Sequence, residues 1–260
     1  MLYRVVDGPP VRQRDRLVPS GLMCALALPP ALGSLILVAL ATPLIAQTQY
    51  EFADRRRDMV ELIESRGVLD SATLAAMRKV PRHEFVPAEL RREAYGDFPL
   101  PIGYGQTISQ PHIVAYMTEV LRPRPGMKVL EVGTGSGYQA AVLAAVGAEV
   151  YTVEIFQALA TSARDRLVRL GYRDVRVRHG DGHFGWAEQA PFDAVMVTAA
   201  AGYIPPALIK QLKAGGRMLI PVGTVYGVQH LTLIEKDARG EVTTRSLIPV
   251  QFVPMLKGTR

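Results

Sequence analysis

The spacing of apolar positions changes near residue 126, and the two sides of that change predict different kinds of structure. Upstream, residues 51–66 (EFADRRRDMVELIESR) set Phe52, Met59 and Ile63 on one helical face, and Gly67 ends the run. A second short helix is expected over residues 70–79, opened by Asp70 or Ser71 and stopped before Pro81. Residues 95–110 (YGDFPLPIGYGQTISQ) are rich in Gly and Pro and predict a long irregular loop, a kind of segment that usually carries function. Downstream, short apolar runs alternate with helical ones. Strands are expected at 128–132, 148–153, 174–179, 192–199 and 216–222, with helices over 138–146, 156–170 and 206–213. Two last runs, 228–235 and 243–253, predict a closing strand pair. Apolar strands alternating with helices imply an α/β, doubly wound parallel sheet covered on both faces, with an antiparallel edge. Ligands of such sheets sit beyond the carboxyl ends of the strands.

The N-terminal end stands apart. Residues 1–20 are basic and residues 21–46 almost wholly apolar, the pattern of a signal peptide or an uncleaved anchor. Against cleavage stands the bulky Leu44; against a straight spanning helix stand Pro29, Pro30 and Gly33. The other reading is a mis-set start, because Met59 opens a good amphipathic helix. The expected organisation is a leader over 1–46 and one folded domain over 50–260.

Composition narrows the chemistry. With 48% hydrophobic and 21% charged residues, the chain can bury a sizeable core. The net charge of +6 comes from scattered arginines rather than a basic stripe interleaved with aromatics, so no nucleic-acid partner is expected. Attraction to anionic protein segments fits the charge equally well. Cys24, the only cysteine, lies in the apolar leader, which leaves the domain without a disulfide, a thiolate metal site or a cysteine nucleophile. The five histidines suggest no ligand set, and no metal is expected.

The strongest local signal is LEVGTGSGYQAA (130–141), which puts Gly133, Gly135 and Gly137 in the turn between the first parallel strand and its helix. Glycine lets backbone turn tightly and approach a ligand. A dinucleotide fingerprint would need glycine where Tyr138 stands, and that ring would crowd a pyrophosphate. G-x-G-x-G suits a nucleoside without phosphates; a purely structural turn is the alternative. Glu154, ending the next strand, can accept both hydroxyls of a ribose, or serve as an acid at a helix start. Asp181, between Gly180 and Gly182 after the third strand, can accept from an adenine amino group, or belong to a plain Asp-Gly turn.

These residues, together with APFDAVMVTAA, FVPMLKG, VPRHEFVP (80–87) and LPIGYGQTISQPHIVAYMTEVL (100–121), resemble the motifs of protein-L-isoaspartate O-methyltransferases. The last two motifs are ones that general methyltransferases lack, and the similarity spans roughly residues 55–258. The resemblance implies S-adenosyl-L-methionine as cofactor, held by Glu131, Gly133, Thr134, Gly135, Ser136, Gly137, Glu154, Asp181 and Gly182. It implies Ser109 of the QTISQP motif as the active-site residue, with Thr107, His112 and Thr198 toward the substrate. The partners it implies are isoaspartyl-containing proteins and peptides, with D-aspartyl residues as a further acceptor. A monomer is expected, cytoplasmic by resemblance, with export or membrane contact through residues 21–46 as the alternative.

Elementary chemistry explains why so little acid–base equipment is visible. An isoaspartyl carboxylate has a pKa near that of a free carboxyl, roughly 4, and arrives deprotonated. Methyl transfer then needs alignment more than a base. Ser109 can donate one hydrogen bond that orients the carboxylate. It also sits in a helix-start signature, Ser-Gln-Pro, so capping is its competing role. Two rivals remain: a methyltransferase with another acceptor, and a tethered protein that binds without turnover. A nicotinamide oxidoreductase is disfavoured by Tyr138.

Overall fold

The computed structural model describes residues 50–224 and 227–258, so the apolar leader and every reading of it lie outside the described residues. Two helices come first, α1 (residues 50–65) and α2 (Ser71–Lys79). Asp70 caps α2, its carboxylate accepting from the Thr73 amide at 2.8 Å. The segment expected as an irregular loop contains a small antiparallel hairpin, β1 (Leu100–Gly103) and β2 (Gln106–Ile108). Three consecutive residues at its tip, Gly103, Tyr104 and Gly105, take positive φ, which turns the chain back too sharply for period-2 patterning to reveal. Helix α3 (Pro111–Leu121) follows.

The main sheet is built from β3 (Lys128–Val132), β4 (Glu149–Glu154), β5 (Arg176–His179), β6 (Phe192–Val197), β7 (Leu212–Gly223), β8 (Gln229–Lys236) and β9 (Val242–Val250). Its order is β5-β4-β3-β6-β7-β8-β9, parallel through β7 and antiparallel after it. Helices α4 (Tyr138–Val146), α5 (Gln157–Arg169) and α6 (Pro206–Gln211) make the parallel crossovers with short 3-10 turns. Neighbouring residues of one strand feed opposite cores, as the strand period of two requires. Val129, Val150, Met196 and Leu219 pack with α1 to α5, whereas Leu130, Tyr151, Val197 and Ile220 pack with Leu208 of α6 and Trp186. Burial on both faces explains why these strands are apolar throughout.

Two boundaries differ most from expectation. Strand β7 starts at Leu212, four residues early, because a register irregularity against β6 absorbs the glycine pair at 215–216. Strand β9 stops at Val250, and residues 251–256 turn across the strand tips, where Ala200 N donates to Val253 O and Met255 N to Ala200 O. The chain runs outward from β3 to β5 and then returns to the other side of β3 as β6. That reversal opens a crevice at the carboxyl ends of β3 and β6.

Candidate functional site

At the tip of β3 the glycine turn is held by backbone. Gly133 N and Thr134 N both donate to Val153 O of β4, and Gly137 N donates to Thr134 O. Gly133 has φ of 100°, and a Cβ there would lie 2.5 Å from the Thr198 hydroxyl, itself bonded to the carbonyls of Val132 and Gly133. No side chain fits. Glu154 fastens the same turn: one oxygen accepts from Gly135 N at 2.8 Å and the other from Phe156 N at 3.0 Å. Each Glu154 oxygen keeps a further lone pair, and the residue lines the cleft.

Beneath the turn lies Glu131, fully buried. One of its oxygens accepts from the Thr152 hydroxyl, which in turn accepts from the Thr134 hydroxyl at 2.6 Å. The other oxygen is buried and has no hydrogen-bond partner among the described residues. Burial pushes the Glu131 carboxyl up to about 8, against the Thr152 bond and with a smaller push from Glu154. An unsatisfied buried carboxyl on a cavity wall is costly, and a ligand bearing N–H donors or positive charge relieves it.

The cleft encloses about 750 Å³, mouth included, between the strand tips, the hairpin side and the C-terminal segment. Glu131, Gly133, Thr134, Gly135, Ser136, Glu154, Gly182 and Thr198 line it, as do Thr107 and Ser109 from the hairpin side and Val253 to Leu256 from the C-terminal segment. Gly182 is glycine because a Cβ would lie 2.3 Å from Val132 Cγ1, so the turn after β5 could not lie over the tip of β3. Three residues expected in the site are not among those lining the cleft. Gly137 packs toward Leu167 of α5. Asp181 turns its carboxylate inward: one oxygen accepts from the amide and ring of His183, the other from Gly258 N at 3.0 Å. Burial alone would raise its pKa, but these donors outweigh it and hold the carboxyl below its ordinary value. His112 has a buried Nε2 without a partner among the described residues and faces Tyr116 across 6.3 Å. His179 and His183 are four apart, yet the first meets the Ile155 carbonyl and the second Asp181. Among the described residues no group of three His, Cys, Asp or Glu could hold a metal ion.

A second groove adjoins the cleft and shares Thr107, Ser109 and Thr198 with it. Its other walls are mainly apolar, from Pro99 and Ile113 to Val250 and Phe252. Ser109 therefore opens onto both spaces. It is not the cap of α3: Gln110 occupies that position, and no side chain of its own closes the helix. The duty falls on Asp97, whose Oδ1 accepts from His112 N at 2.8 Å and whose Oδ2 accepts from Gln110 Nε2 at 2.9 Å. Arg66 pairs with the same carboxylate. Sequence reasoning passed over Asp97; the available signal was an acid in a Gly/Pro-rich loop ahead of a helix start whose Pro111 leaves His112 the first amide to satisfy. The loop carrying Asp97 is anchored by Arg82 of the VPRHEFVP motif. That guanidinium is buried, donates to the Ala94 carbonyl at 2.7 Å and lies 4.9 Å from the ring centre of Tyr138.

A mostly parallel sheet, a three-glycine turn after β3 and an acid ending β4 define the class: an S-adenosylmethionine-dependent methyltransferase. Residues 54–260 match the family described as protein-L-isoaspartate(D-aspartate) O-methyltransferase, and the chain belongs to that family. A relative from Polaromonas sp., protein-L-isoaspartate O-methyltransferase 2, is 62% identical over 72% of this chain and 89% of its own. A solved protein-L-isoaspartate O-methyltransferase is 29% identical with a TM-score of 0.70, covering 78% of this chain; this chain spans 66% of that one's length. The Plasmodium falciparum structure, in complex with S-adenosyl-L-homocysteine, is 25% identical with a TM-score of 0.69, covering 78% of this chain and 99% of its own. Among the described residues no helix is long and apolar enough to cross a membrane.

Proposed function

We propose that this chain transfers a methyl group from S-adenosylmethionine to the free carboxylate of L-isoaspartyl, and also D-aspartyl, residues in damaged proteins, with Ser109 holding the acceptor. The observation that carries the residue assignment is the position of Ser109 at the junction of cleft and groove, relieved of helix capping by Asp97. When bound, S-adenosylmethionine supplies an electrophilic methyl group on a sulfonium. Glu154 receives the ribose hydroxyls, the Gly133–Gly137 turn offers close backbone approach, and the unpartnered oxygen of Glu131 takes an N–H donor. Asp181 serves this site as a brace, fixing residues 182–183 and Gly258, with Gly182 the member of that pair on the wall.

On the acceptor side the Ser109 hydroxyl donates to a carboxylate oxygen, and Thr107 and Thr198 flank it. The acceptor is already an anion at neutral pH, so no general base is assigned. The gain comes from fixing the carboxylate against the methyl group in a partly apolar space. The catalytic domain is assigned to residues 50–260, with residues 1–46 a leader outside it.

The test uses the full chain, labelled S-adenosylmethionine and matched peptides that differ only in aspartate or isoaspartate. Base-labile label on the isoaspartyl peptide alone is the expected result. Equal labelling of both peptides rejects the assigned acceptor, and cofactor binding without any ester rejects turnover.

A further inference from the structure

The start of α3 poses a problem that its own sequence does not solve. Pro111 has no amide hydrogen, Gln110 closes nothing with its side chain, and the remaining first-turn amides need acceptors from outside the helix. Ser109 is the obvious local residue to turn back and satisfy them, and doing so would withdraw its hydroxyl from the cleft. The structure solves the problem from a distance instead. Asp97 reaches in from 15 positions upstream, takes the His112 amide with one oxygen and grips the Gln110 side chain with the other. Its side chain is 6% exposed, and its charge is matched by Arg66 at the end of α1. A carboxylate at a helix N-terminus is also favoured by the helix dipole. The loop behind it is fixed in turn, because the buried Arg82 holds the Ala94 carbonyl.

We propose that Asp97 is a positioning residue for methyl transfer: by capping α3 and holding Gln110, it keeps the adjoining Ser109 turned into the junction of cleft and groove. The proposal rests on the assignment of Ser109 as the acceptor-holding residue. It makes Asp97 act only through Ser109, and that can be separated from a general structural role. Asp97 touches neither cavity, so a loss of cofactor affinity is not expected from its replacement.

The experiment is a double-mutant cycle on the full chain, using Asp97→Asn, Ser109→Ala and the pair. Asparagine keeps one acceptor for His112 but cannot pair with Arg66 or accept from Gln110 with its nitrogen. Asp97→Asn alone should lower kcat on an isoaspartyl peptide about tenfold, while the dissociation constant for S-adenosylhomocysteine stays within about twofold. In the Ser109→Ala background the same replacement should cost less than about twofold. Equal losses in both backgrounds, or a cofactor affinity that falls in step with kcat, overturn the proposal. Ser109→Ala as fast as the parent removes the underlying assignment instead. Where Asp97→Asn does not fold, Arg66→Gln removes the countercharge of Asp97 from outside both cavities, and the same cycle with Ser109→Ala decides the question by the same criteria.

Discussion

The two walls of the cleft are built on opposite plans. The cofactor wall is local: the tips of consecutive parallel strands, a glycine turn pinned by Val153 O, and Glu154 fastening that turn from the adjacent strand. Its contacts are mostly backbone, so each position admits few residue types. The acceptor wall is assembled from far apart, with Arg66, Arg82 and Asp97 setting the start of α3 and residues 253–256 closing the other side. The first plan gives a fixed seat for an invariant small molecule. The second leaves a groove whose walls can differ without disturbing that seat, which suits an acceptor embedded in many different peptides.

Breaking the cofactor wall should have the largest effect. Glu154→Ala removes the two-pronged acceptor and loosens Gly135, and it should weaken S-adenosylhomocysteine binding by about 3 kcal/mol, roughly 100-fold, measured by calorimetry. Unchanged affinity would remove Glu154 from the site. Breaking the acceptor wall should act on rate instead. Ser109→Ala should lower kcat by about 2 kcal/mol, roughly 30-fold, with cofactor affinity unchanged, because one hydrogen bond to a charged group is lost. A fall in cofactor affinity of the same size would mean the two walls are not independent.

The smallest effect concerns stability and pH. Glu131, raised to about 8 by burial, stays protonated in the fold where the unfolded chain is ionised. Its contribution is therefore present below pH 4.5 and is lost as pH rises through 8. His83, lowered to about 4 by burial, contributes the opposite slope, present above 6.5 and lost as pH falls toward 4. Between pH 6.5 and 8 the Glu131 slope stands alone of the two. Glu131→Gln should flatten the decline of unfolding free energy there, by at most about 1.4 kcal/mol per pH unit. An identical slope in parent and variant would show that Glu131 is already ionised in the unliganded fold.

Legibility in the sequence followed the same division. The parallel strands were readable because each is buried on both faces, and the late antiparallel pair because its runs are long and separated by a turn. The places of Glu154 and Gly133 at the cleft could be read from spacing alone, since they depend on neighbours along one strand–turn–helix unit. Asp97 could not, because its partners are chosen by tertiary approach across 13 and 15 positions. The hairpin at 100–108 was hidden for a different reason: three positive-φ residues in a row leave two strands too short to show alternation. Asp181 shows the converse limit. Its place beside Gly182 was evident, but the direction of its carboxylate was set by Gly258, 77 residues away.

That inward carboxylate bears on how the enzyme itself ages. The chain contains no asparagine, the residue whose side-chain amide is most readily attacked by the following backbone nitrogen to begin isoaspartate formation. Among the described residues one Asp-Gly pair remains, Asp181–Gly182, where a glycine offers least steric protection against the same attack. Ring closure at aspartate proceeds from the neutral acid, and the donors from His183 and Gly258 keep this one ionised. The bonds that brace the wall thereby also lower the fraction of this carboxyl in the neutral form from which ring closure starts.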